Sequence, residues 1–278
     1  MNTETVRARV GDEELAVYVD RPDGEPIGSV LITPPWGMSA ARMLPAAYIL
    51  QESGFRVVRF DPRNHAGNST GSSRRFRLSG LVEDLETVLE ITAPDVLLAV
   101  SMSARSLIRA LVDVSGLSGA VLVTPVVDVR YTLHQVLQRD YFAVNDRDPS
   151  AVVNVLGNDV EMAFIDDCLE AGMVAVGDTV ADFMEIETPV SSIVGEADPW
   201  VRLDDVRAVA EAAWERGRDF TIVTVEAATH QLYRNPALAM TYFAEAAKEC
   251  LRLARSDPDR LRVPAFADVI AEAEKATR

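Results

Sequence analysis

The feature that most narrows what this chain can fold into is an alternation. Short β-branched runs, "SVLITPP", "FRVVRFDP", "DVLLAVS" and "GAVLVTPVV", take turns with "ARMLPAAYILQESG", "LVEDLETVLEIT" and "SARSLIRALVDVSG", whose apolar residues recur at helical spacing. The runs are apolar at consecutive positions, as strands buried on both faces must be, which predicts a mostly parallel sheet with helices covering each side. The N-terminal stretch "MNTETVRARVGDEELAVYV" alternates instead, as a strand pair turning at Gly11-Asp12 does.

Between residues 129 and 188 the rhythm breaks. "RYTLHQVLQRDYF", a polar "NDRDPS" and the helically periodic "DVEMAFIDDCLEAGM" lie there before the pattern resumes with "PVSSIVGEADP", "VRLDDVRAVAEAAWERG" and "FTIVTVE". The expectation is a single domain over 1–278 carrying a helical lid insertion at 129–188, with a surface helix in the C-terminal "PAFADVIAEAEKATR". The 278 residues with 48% hydrophobic content suffice for such a core. A formal charge of −16 disfavours nucleic acid and anionic membrane surfaces, which are held by clustered Lys and Arg. The start shows no export-signal h-region and no run reaches membrane-spanning length, so a cytoplasmic protein is expected. Cys168 and Cys250 have no metal-type spacing and are most simply small core residues; nothing in the sequence asks for a metal or cofactor.

The stretch "LLAVSMSARS" ends a buried run and opens a helical one, the context in which a tight strand-to-helix turn exposes a nucleophilic serine. Such a turn crowds the residues two before and two after the nucleophile, which is why glycine usually stands there. Ser101 has Ala99 and Ser103 at those positions; Ser103 would have Ser101 and Arg105, and Ser106 would have Ala104 and Ile108. Only Ser101 has small neighbours on both sides. A serine hydroxyl needs a base, and the chain has three histidines. His65 falls in an expected polar loop and His134 in the insertion, whereas His230 follows the last strand, where it can reach the sheet's C-terminal edge. An acid to orient it should follow the preceding strand; Asp198, with Pro199 behind it, is preferred to Glu196. The chain order nucleophile, acid, base is that of the α/β-hydrolases. The oxyanion formed on attack needs two N–H donors. Met102 supplies one, and Trp36, the first residue with an N–H after Pro34 and Pro35, supplies the other, with Gly37 next in line.

These stretches resemble the acyl transferase family of bacterial bioluminescence, thioesterase-like α/β-hydrolases that release myristoyl chains from acyl carrier protein. "SMSAR" at the turn, "VVDVRYTLHQVLQRDYF" and "LGNDVEMAFIDDC" in the insertion, and "DPWV" after the acid carry the likeness, "ATHQL" resembles the base loop of α/β-hydrolases more broadly, and "TPPWGMSAARM" departs from the family's loop. The resemblance implies Ser101 as nucleophile, Asp198 as acid and His230 as base, a fatty acyl thioester bound to acyl carrier protein or CoA as substrate, and an acyl-serine intermediate. The same three residues would serve a carboxylesterase acting on small esters, and a non-catalytic ligand receptor on this fold is the remaining alternative. "SSRRFR", with Arg74 and Arg75, together with Arg105 and Arg109, is a candidate basic patch for an acidic carrier protein.

Overall fold

In the computed structural model, residues 2–232, 235–269 and 271 are described. Strands β1 (Asn2–Val10) and β2 (Glu13–Arg21) form an antiparallel hairpin, turning at Gly11 and Asp12 with Gly11 at φ +59°. There follow β3 (Ser29–Thr33), α1 (Leu44–Glu52), β4 (Arg56–Asp61), α2 (Leu78–Thr92), β5 (Val96–Val100), α3 (Ser103–Leu111) and β6 (Gly119–Val123). After an excursion come β9 (Val190–Gly195), α7 (Leu203–Glu215), β10 (Phe220–Val225) and α8 (Pro236–Leu253). The excursion contains α4 (Val129–Leu137), β7 (Val152–Val155), β8 (Asn158–Glu161), α5 (Ala163–Glu170) and α6 (Val176–Phe183). Residues 266–269 are helical; the rest of the expected C-terminal helix lies outside the described residues, apart from the helical residue 271.

The main sheet has eight strands in the order β1-β2-β4-β3-β5-β6-β9-β10, with β1 and β2 antiparallel to their neighbours and β4 through β10 parallel. The apolar runs divide by the two-residue period of a strand. Val30, Ile32, Val96, Leu98, Val121 and Val123 face one side, where α1 and α8 pack. Leu31, Leu97, Ala99, Ala120 and Leu122 face the other, against α2, α3, α7 and the excursion. All five residues of β5 are buried, which is why this strand reads as an uninterrupted apolar run. β5 lies inside the sheet, between β3 and β6, and Ser101 is the residue that follows it.

The excursion departs from the helical expectation. "VVNVLGNDVE" forms a hairpin in which Val155 pairs with Asn158 across Leu156 and Gly157, at φ +52° and +89°. Two successive residues with positive φ are what a tight two-residue hairpin needs, and the glycine was the available signal. The helical spacing in "DVEMAFIDDC" begins only at Ala163. Asp128 starts α4 by accepting a hydrogen bond from the Tyr131 N–H at 2.8 Å. Cys168 and Cys250 are both buried and free. No helix among the described residues is long and apolar enough to cross a membrane.

Candidate active site

Ser101 turns the chain from β5 into α3 with φ +59°, a left-handed conformation rare outside glycine and found where a chain reverses sharply. Its N–H donates to the Val123 carbonyl at 2.9 Å and its carbonyl accepts from Val126 N–H at 3.1 Å, so the β6 end clamps the turn. Ala99 and Ser103, its crowded neighbours, are both buried. The Ser103 hydroxyl donates to the Val100 carbonyl at 2.8 Å and Ser106 to the Leu78 carbonyl at 2.9 Å, so both are occupied by backbone.

The Ser101 Oγ lies 2.7 Å from His230 Nε2, and His230 Nδ1 lies 2.8 Å from Asp198 Oδ2. The three residues come from loops after β5, β9 and β10. Gly195 at the end of β9 makes the last approach feasible: a Cβ there would sit 2.3 Å from both the Ala228 carbonyl and the Tyr242 hydroxyl, so only hydrogen lets the His230 loop lie against it. The Asp198 side chain is fully buried and its other oxygen, Oδ1, accepts N–H bonds from Trp200 at 2.8 Å and Val201 at 3.1 Å. Those bonds orient Oδ2 toward the imidazole. Glu196, the other candidate acid, is exposed. The Trp200 ring lies 4.8 Å from the imidazole and covers it.

Residues 34–40 border the serine on the other side. Ala40 N–H donates to Asp61 Oδ1 at 2.6 Å, and Arg59, itself held in a buried ion pair with Asp20, donates to the Ala40 carbonyl at 3.0 Å. Gly37 N–H donates to His65 Nε2 at 2.8 Å. His65 lies in the polar loop after β4, as expected, but its ring is turned inward and half-buried, and burial pulls its pKa down from 6.5 to about 4, keeping the ring neutral and able to accept. The same bond commits Gly37 N–H, whereas the N–H groups of Trp36 and Met102 donate to no acceptor among the described residues. Met102 stands at the N-terminus of α3, where free N–H groups and the helix dipole favour negative charge. The Trp36 side chain points into the excursion, its indole N–H donating to the Val155 carbonyl at 3.0 Å and its ring packing edge-on against Phe76 at 4.8 Å.

Ser101 and His230 open onto a cavity of about 310 Å³ walled by Pro35, Trp36, Met38, Leu156, Trp200 and Leu232, with Thr124 and Gln231 as further polar groups. Thr124, a β-branched residue at φ +45° with a buried hydroxyl, and the hairpin-tip Leu156 were not singled out in the sequence, because a strand end and an insertion give no signal of what they will face. His134 is exposed on α4 and away from this cavity. The suggested basic patch is corrected: Arg105 is fully buried, its guanidinium 2.7 Å from Asp182, and Arg109 pairs with the same carboxylate at 3.1 Å. An arginine on α3 facing the excursion is drawn in because Asp182 compensates it. Arg74 and Arg75 remain exposed.

A protein-family model described as "Acyl transferase" matches residues 33–259. An acyl transferase of Photobacterium leiognathi is 26% identical over 216 residues, spanning 75% of this chain and 67% of its own length. Among solved structures, Est1E of Butyrivibrio proteoclasticus with bound ferulic acid superposes with a TM-score of 0.70 at 15% identity over 88% of this chain and 97% of that one. A thioesterase domain from the curacin biosynthetic pathway gives 0.60 at 15% identity over 91% and 99%. The sheet order and these neighbours make the fold that of the α/β-hydrolases, and the match over most of its length makes this chain a member of the acyl transferase family.

Proposed function

We propose that this member of the family is a serine-dependent acyl hydrolase or acyltransferase that takes fatty acyl thioesters. His230 Nε2 accepts the Ser101 proton as Oγ attacks the thioester carbonyl. The tetrahedral oxyanion is held by the N–H groups of Trp36 and Met102, each worth about 3–4 kcal/mol at the transition state. The carbon–sulfur bond then breaks, His230 returns the proton to the leaving thiolate, and an acyl-serine remains. Water or another acceptor, deprotonated by His230, releases the acyl group, while Asp198 keeps the imidazole tautomer and stabilises its protonated form. The observation that carries this reading is the pair of contacts at 2.7 and 2.8 Å joining Ser101, His230 and Asp198 beside an apolar cavity. The insertion acts as the lid over that cavity, in a single domain working in the cytoplasm.

A fluorophosphonate probe tests the scheme: the adduct is expected on Ser101 and abolished in Ser101→Ala, and an unlabelled Ser101 overturns it. Thioesters of graded length against nitrophenyl esters separate this activity from that of a small-ester carboxylesterase. A ligand receptor without chemistry would bind the same compounds and turn over none. Acyl carrier protein or CoA is the donor in this reading, and Arg74→Glu with Arg75→Glu is expected to raise KM for carrier-bound substrate alone.

A further inference from the structure

Two small apolar pockets lie beneath the hairpin of the insertion. A void of about 10 Å³ lies between Trp36, Met102, Leu133, Val155, Val160 and Phe164. A second, of about 20 Å³, shares Leu133, Val155, Val160 and Phe164 with the first and is also lined by Leu137, Val153, Tyr141 and Glu161. The two therefore adjoin one another along a single apolar seam. Met102, the residue after Ser101, lines the first, and Trp36 is the wall shared with the catalytic cavity. The first void is lined by apolar side chains alone, so water gains no partners there and an alkyl chain suits it better. Glu161, in the lining of the second, faces Arg77 at 3.4 Å, a polar stop.

We infer that the acyl tail of the substrate runs past the Trp36 indole into the seam between α4 and the β7–β8 hairpin, with Trp36 as the gate and Leu137, Val153 and Tyr141 setting the longest chain accepted. The inference rests on the acyl reading above. The gate is built from one hydrogen bond: the indole N–H to the Val155 carbonyl holds the ring across the opening, and the hairpin carrying Val155 is anchored to the sheet through that ring and its neighbours Phe76 and Phe164. When the ring turns, the catalytic cavity and both voids become one apolar channel leading directly away from Ser101 Oγ.

The test measures binding apart from turnover. In a Ser101→Ala background, titration with dansylamino-undecanoic acid, followed by fluorescence, is expected to show saturable binding that dansylglycine does not compete for. Leu137→Trp should lower that affinity more than tenfold, since each methylene expelled from apolar contact is worth about fourfold. Leu137→Ala should retain or raise it. On the Ser101 protein, Leu137→Trp should keep acetyl thioester turnover, which also reports correct folding, and lose tetradecanoyl turnover; Val153→Trp is the second plug should the first not fold. Absence of probe binding, or equal effects of Trp and Ala at position 137, overturns the channel. Probe binding that responds to the plugs in a protein showing no turnover of any ester leaves the channel standing and removes the serine mechanism instead.

Discussion

The C-terminal edge of the sheet and the insertion above it are built to opposite standards. At the edge, every residue of β5 and β9 is buried, and the loops carrying Ser101, Asp198 and His230 are each tied down by backbone hydrogen bonds. In the insertion, Val152, Leu156 and Leu169 are exposed and two small apolar pockets lie beneath the hairpin. Under the proposed function, the two regions divide the work. Proton transfer needs atoms held within a fraction of an ångström, which rigid strand ends provide, whereas accommodating an apolar chain needs walls that yield. Trp36 joins the two regions, its backbone at the serine and its indole on the hairpin.

Changes at the edge should therefore alter rates for every acyl length alike, and changes in the insertion should alter selection by length. The largest effect is expected from Ser101→Ala: kcat falls by about a millionfold on acetyl and tetradecanoyl thioesters together. A loss confined to one length would break the contrast. Asp198→Asn should cost about ten-thousandfold by leaving the wrong imidazole tautomer, while Glu196→Gln, on an exposed side chain, leaves steady-state rates unchanged.

The next effect is on stability. His65 has its pKa lowered to about 4 in the fold against 6.5 when unfolded, so the unfolded chain takes up the proton first. Its contribution is fully present above pH 6.5 and is lost as pH falls toward 4, by roughly 3 kcal/mol. Asp84, which burial raises to about 6, works in the opposite direction over an overlapping range. The difference in unfolding free energy between wild type and His65→Gln isolates the histidine; a difference that stays constant from pH 7 to 4 refutes the buried neutral ring. The smallest effect belongs to Leu156→Ser, half exposed at the hairpin tip. KM for tetradecanoyl thioester should rise several-fold, with acetyl turnover and thermal midpoint unmoved.

Legibility in the sequence follows the same division. The parallel sheet could be read because β3, β5 and β6 must be apolar on both faces, and Ser101 could be chosen because a tight turn tolerates only small residues such as Ala99 and Ser103 beside it. The hairpin of the insertion was missed although Gly157 marked its turn, because apolar spacing in a short stretch fits a strand or a helix until a partner strand is present. Arg105 read as surface charge because its compensating Asp182 lies far along the chain.

Sequence alone determined the layered architecture, the serine at the strand end, and the candidates to assist it, since these depend on local period, turn sterics and the order of elements. Only the tertiary structure decided which N–H is free beside Ser101, because His65 takes that of Gly37 from 28 positions away. It alone decided, too, that Trp36 stands between the cavity and the seam under the hairpin. Both are contacts between residues remote in the chain, and no local pattern records which of many possible partners the folded backbone brings within reach.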